Sequence, residues 1–143
     1  MKNLYHILLS LFCLLVMPAM LQAQKITADS LVSQGIKLHD QGRFKEAVEK
    51  YNDALKLEPD NNNAKYEMAY TYSVSGNRKQ TITILEKLLK NTKGQQGQAY
   101  DLLGSSYDDE GQSQKAIEVY LAGIKNQPDY QLYITISALP IIA

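Results

Sequence analysis

The chain has 143 residues, with 15 Lys plus Arg against 15 Asp plus Glu, one cysteine, no tryptophan and ten tyrosines. Balanced charge removes the electrostatic footprint of a nucleic-acid binder, and a lone cysteine removes both a disulfide framework and a thiolate metal cage. With 45% hydrophobic residues the chain has enough apolar material for one small domain or a short repeat array.

Residues 1–23 open with Lys2, run through an apolar stretch from Ile7 to Met17, break at Pro18 and end in Leu21-Gln22-Ala23. This order of a basic start, a short apolar core and a small-residue site predicts a secretory signal peptide, cleaved before Gln24. A membrane anchor is the rival reading, but the apolar core falls short of the ~18 residues a spanning helix needs. Cys13 follows Phe12 and lacks the small-residue context of a lipid-modified cysteine. The expected product is exported, has no transmembrane anchor after cleavage, and keeps His39 as its one histidine. Export without disulfides points to a bacterial periplasm or cell envelope, with secretion as a further possibility.

Residues 24–27 form a lead-in, with Thr27 placed to cap a helix over 28–40. A turn at Gln41-Gly42 leads to a second helix over 44–57, which Pro59 stops and Asp60 or Asn61 follows as the next cap. Helices over 62–74 and 78–90 flank Ser75-Gly76-Asn77. The stretch Thr92-Lys93-Gly94-Gln95-Gln96-Gly97 is a looser connector to helices over 98–109 and 113–126, closed by Pro128-Asp129.

One spacing of small, aromatic and glycine residues recurs through these elements. The first copy carries Gly35, Leu38, Gly42, Ala47, Tyr51, Ala54 and Pro59, and the last carries Tyr100, Leu103, Gly104, Tyr107, Gly111, Ala116, Tyr120 and Pro128. The middle copy keeps Ala69, Tyr72 and Gly76, but has Thr81 for the alanine and Leu85 for the second aromatic. Gly42 to Gly111 and Pro59 to Pro128 each span two periods of about 34 residues.

This pattern resembles the tetratricopeptide repeat family. The resemblance implies an all-α fold, a right-handed superhelix of antiparallel helix pairs A and B, with repeats at 28–61, 62–95 and 97–130. Residues 131–143 are then an incomplete fourth repeat or an apolar C-terminal tail. Small residues at Gly35, Ala69 and Gly104 let paired helices approach, Tyr51 and Tyr120 are expected to fill the space between successive repeats, and the turn glycines take the left-handed conformation.

The segment 130–143 carries no charge, and Leu132, Ile136 and Leu139 make it an apolar surface where the end of a stack should be polar. It is expected to be the first helix of a truncated repeat, or else to fold back over the third repeat or dock on a partner or on a second copy of the chain.

Motifs for chemistry are missing. No Gly-rich phosphate loop, His-Glu-x-x-His helix, nucleophile elbow or Cys pair occurs after residue 23. His39 with Asp40 supplies too few ligands for a metal, and Asp108-Asp109-Glu110 lacks the alternating oxygen donors of a calcium loop. The expectation is a non-enzymatic protein with no cofactor and no metal.

In the family the A helices line a groove, and its places carried onto this chain include Asp29, Val32, Ile36, His39, Asp40, Tyr66, Glu67, Tyr70, Asp101, Leu102, Asp108 and Asp109. Six of all the places are acidic and none is Lys or Arg. The partner-binding groove is therefore expected at Val32, Ile36, His39, Tyr66, Glu67, Tyr70, Asp101, Leu102 and Asp108, taking a basic or neutral peptide or protein segment. Family members that grip a C-terminal carboxylate use Lys, Arg and Asn at places that here hold Val32, Ile36, Glu67, Gln98 and Leu102, so that clamp is absent. Glycan binding is the alternative, since tyrosine faces stack on sugars and carboxylates accept their hydroxyls.

Overall fold

The computed structural model describes residues 26–91 and 97–127. Those residues form six helices and no strand: α1 (Ala28–Asp40), α2 (Phe44–Leu57), α3 (Asn62–Val74), α4 (Arg78–Asn91), α5 (Gly97–Asp109) and α6 (Ser113–Asn126). None is long and apolar enough to cross a membrane. The expected signal segment, the connector at 92–96 and the segment from 128 onward lie outside the described residues.

Local chemistry sets the helix ends. Thr27 accepts from the Ser30 backbone N–H while Ser30 Oγ accepts from the Thr27 N–H, so two donors at the start of α1 are satisfied reciprocally. Asn61 caps α3 through the Ala64 N–H at 2.9 Å. Each A helix then ends the same way. Gly42, Gly76 and Gly111 have φ of 73°, 82° and 71°, the left-handed region that costs glycine nothing. Their N–H groups donate to His39, Ser73 and Asp108, and the next residues donate to Leu38, Tyr72 and Tyr107, all at 2.8–3.0 Å. Orphan carbonyls are thereby satisfied three times over, and the chain is sent back antiparallel into α2, α4 and α6.

Packing follows sequence order: α1 pairs with α2, α3 with α4 and α5 with α6, and each B helix also contacts the next A helix. Two core clusters result. Leu31, Val32, Ala47, Tyr51, Ala54 and Ala64 form the first, and Ala69, Leu85, Leu88, Ala99, Leu103, Tyr107 and Ala116 the second.

Tyr51 reaches from its own pair to the next repeat, sharing a cluster with Ala64 and lying close to Thr71 and Glu67 of α3. Tyr51 occupies the space above Gly35 of its own pair, and Tyr120 that above Gly104, so a Cβ at either glycine would overlap the ring. Thr81, which replaces the alanine of the other copies, is fully buried, and its hydroxyl donates to the Ala69 carbonyl at 3.1 Å. This bond across the α3–α4 pair satisfies a polar group that alanine would not have brought.

Candidate functional site: the A-helix face

Helix α3 touches α1 on one side and α5 on the other, so the three A helices form one continuous face. Three rings from two of them make a ladder on it. His39 stacks on Tyr70 with centroids 5.2 Å apart and planes at 26°, and Tyr70 stacks on Tyr66 at 6.4 Å and 9°. Phe44, the first residue of α2, meets His39 edge-on at 5.3 Å. Tyr66 and Tyr70 lie one turn apart on α3, which places them on one face of the helix. His39 reaches them from the last turn of α1, where a hydrogen bond of 2.8 Å between its Nδ1 and Thr71 Oγ1 fixes the ring.

Tyr70 is 41% exposed, a large side chain left open where the fold could have covered it. Glu67, three residues before Tyr70 and so its neighbour on the surface of α3, is half-buried. Burial holds its carboxyl above the usual carboxylate range, with Asp40 adding to the effect and His39 opposing it. Below them the Tyr51 ring is fully enclosed. Its hydroxyl is pushed up to about 12, first by burial, with nearby Thr71 opposing and the Glu67 and Asp40 charges adding. Tyr120 repeats this in the third pair, raised by burial and then by Asp108, Asp101 and Asp109. The first and third pairs thus each place a tyrosine hydroxyl near acidic residues of the A helices.

The nine expected groove residues divide. His39, Tyr66, Glu67 and Tyr70 are brought together. Val32 is not part of an open surface: it is 2% exposed and belongs to the first core cluster, where residues of α1, α2 and α3 meet. Ile36 and Leu102 are half-covered and pack on the two clusters. Asp101 lies half-buried on α5, while Asp108 is exposed at its end and accepts from Ser113 Oγ at 2.8 Å. Its neighbour Asp109 pairs with Arg78 at 3.0 Å, which neutralises part of the acidity expected at that end of the face.

Thr71 and Phe44, which hold His39, were not singled out by sequence. Phe44 looked like an ordinary helix start, and Thr71 occupies a place filled by Lys37 and Ser106 in the other copies. A second concavity also went unforeseen. Helices α4, α5 and α6 line a groove of about 670 Å³, with Leu89, Leu103, Val119 and Ala122 among its lining residues. At one end the Tyr107 hydroxyl donates to Glu86 and Lys115 Nζ lies 5.2 Å from the centre of the Tyr107 ring. At the other, Asn126 donates to the Tyr100 hydroxyl at 2.9 Å. Among the described residues no group of three or more His, Cys, Asp or Glu side chains could hold a metal ion.

Antiparallel helix pairs stacked with one recurring turn define a helical repeat solenoid. The chain belongs to the tetratricopeptide repeat family: residues 35–76 match the family model described as TPR repeat, and residues 97–130 the one described as tetratricopeptide repeat. The sequence matches no curated protein. Among solved structures the chain is similar to the Sgt2 TPR domain from Aspergillus fumigatus, with a TM-score of 0.65 and 25% identity over 71% of this chain and 67% of that one. It is similar also to MamA (residue 41 to the end) from Desulfovibrio magneticus RS-1, with a TM-score of 0.64 and 27% identity, over 75% of this chain and 60% of that chain. The first TPR of Spaghetti (RPAP3), bound to the HSP90 peptide SRMEEVD, shares the fold at a TM-score of 0.65 and 19% identity, over 73% of this chain and 82% of that one.

Proposed function

We propose that the protein is a non-enzymatic interaction scaffold of a bacterial periplasm or cell envelope, and that it receives an extended or helical segment of another protein on the A-helix face. The observation that carries the reading is the aromatic ladder His39–Tyr70–Tyr66, ordered by hydrogen bonding and stacking yet left open at Tyr70. Rigid aromatic side chains give large contact area at small entropic cost, which is why such residues anchor interfaces. Asp40 and Glu67 favour a basic or neutral segment. An acidic peptide of the kind that the Spaghetti repeat carries would be repelled.

A peptide array run beside a glycan array tests the site. Peptide binding that Tyr66→Ala and Tyr70→Ala weaken at least tenfold, with both variants still folded, is the expected result. Binding confined to glycans, or unaffected by either substitution, overturns it. Export is tested separately by mass spectrometry of the envelope fraction: a terminus at Gln24 is expected, and an intact Met1 terminus held in the membrane overturns the export reading.

A further inference from the structure

We infer that the segment received on this face presents an arginine, whose guanidinium pairs with Glu67 and lies against the Tyr66–Tyr70 ladder; the inference rests on the peptide-binding reading above. Glu67 is the carboxylate at the site that burial disfavours, and the described residues supply it with no Lys or Arg. The four ion pairs among the described residues, Arg43–Glu46, Lys56–Asp53, Lys65–Asp60 and Arg78–Asp109, all lie elsewhere. The charged and polar groups that act on Glu67, or on which it acts, are His39 and Asp40 of α1 and the buried Tyr51 hydroxyl of α2. Asp40 makes the surroundings more negative. His39 already has its Nδ1 engaged by Thr71 and its ring stacked on Tyr70. A half-buried carboxylate without a cation is unfavourable, and a partner's cation arriving there relieves the cost.

The surroundings choose between the two basic side chains. Lysine offers a compact, strongly hydrated ammonium that would lose water on entering a partly covered site. Arginine offers a planar, weakly hydrated guanidinium that stacks on aromatic faces and forks onto a carboxylate. The near-parallel planes of Tyr66 and Tyr70, with Glu67 between them in the sequence of α3, suit the second geometry. Asp40 is close enough to add long-range attraction.

The test uses short peptides, acetylated and amidated at their ends, with one position fixed as Arg, Lys, citrulline or Ala in a neutral background, titrated against the full chain. Citrulline keeps the shape and planarity of arginine and removes the charge. Arg peptides should bind about tenfold tighter than citrulline peptides and several-fold tighter than Lys peptides. Glu67→Gln should abolish the Arg-over-citrulline preference while leaving the melting temperature and the citrulline affinity unchanged or higher. Peptide binding without preference for Arg over citrulline, or a preference that persists in Glu67→Gln, overturns this inference and leaves the scaffold reading standing. No binding by any peptide overturns both.

Discussion

The ring of Tyr51 occupies the volume that a side chain at Gly35 would need, and the middle repeat solves the same problem with the opposite trade. There the small residue grows to Ala69 and the large one shrinks to Leu85, both fully buried. Total volume at the helix crossing is roughly conserved, which is the kind of change that close-packed interiors tolerate.

Gly35→Ala alone should therefore destabilise by about 1–3 kcal/mol through overpacking against a ring that cannot withdraw. Tyr51→Leu alone should cost about 1–3 kcal/mol through the space it leaves. Combined, the two changes rebuild the Ala–Leu pair of the middle repeat inside the first, so their effects should be strongly non-additive. A double-mutant cycle by urea unfolding measures the coupling, expected at ~1 kcal/mol or more in the favourable direction. Additive losses would show that the first pair lacks the freedom to repack.

Gly111 has φ of 71° with nothing within 4 Å of where a Cβ would stand, so any cost of substitution comes from the backbone and not from crowding. Gly111→Val should destabilise by about 1–2 kcal/mol, the penalty of the left-handed region for a branched residue. Gly111→Asn should lose clearly less, since asparagine visits that region readily. Equal losses in thermal melts would mean that the turn tightens in a way the open space does not show.

Much of this architecture was legible in the chain because helix ends are written locally. Thr27, Asn61 and the three turn glycines act within a few residues of themselves, and the observed helices start and stop within one residue of the ranges that those signals predict. The face was harder to read. Val32 and Tyr66 hold equivalent repeat places, yet Val32 is in the core and Tyr66 is half-exposed, because burial depends on side-chain size and on which neighbours flank each helix. The His39–Thr71 bond and the Phe44 contact join residues of different helices, and no local pattern announces such a meeting.

Titration offers a check on the Glu67 surroundings. Its carboxyl is raised in the folded protein, so the folded state holds that proton more tightly than the unfolded chain. The fold is then weakened as pH rises from below the ordinary glutamate value of ~4.3 through the folded value, and is spared this penalty in acid. Glu67→Gln should be more stable than the parent at neutral pH and converge with it below that range, measured as the difference in urea midpoints across pH. A Gln variant that is less stable at neutral pH would mean that the charge makes a favourable contact in the fold.

At the alkaline end the sign is the same. Tyr51 and Tyr107 are both raised to about 12, by burial first, with Glu86 adding through its hydrogen bond and charge at Tyr107. Their protonated forms favour the fold, and that contribution is lost as pH climbs from the unfolded tyrosine value of ~10 through about 12. Tyrosinate absorbance at 295 nm should show an early group of exposed phenols and a late group that ionises together with loss of helical circular dichroism. Tyr51→Phe should remove one late phenol. A single transition near 10 with the helices intact would contradict the enclosure of both rings.

The outer face of α6 leads to the last prediction. Ile124 takes the place that Leu55 and Leu89 hold in the earlier repeats, where each packs half-covered on a core cluster. Ile124 is 45% exposed and its neighbour Leu121 55%. Beyond them the sequence continues into the uncharged stretch 130–143, outside the described residues. The exposed Leu121 and Ile124, followed in sequence by an uncharged apolar stretch, supply the material from which contiguous apolar patches that associate are made. Concentration-dependent self-association through this region is therefore expected. Replacing Leu132, Ile136 and Leu139 by Lys or Gln should yield a monomer by analytical ultracentrifugation with helical content retained. Replacing Leu121 and Ile124 by Gln should weaken association too, if the tail of one copy docks on α6 of another. A parent protein that sediments as a monomer at high concentration would instead place the tail against its own α6, and the α6 substitutions would then lower thermal stability without changing mass.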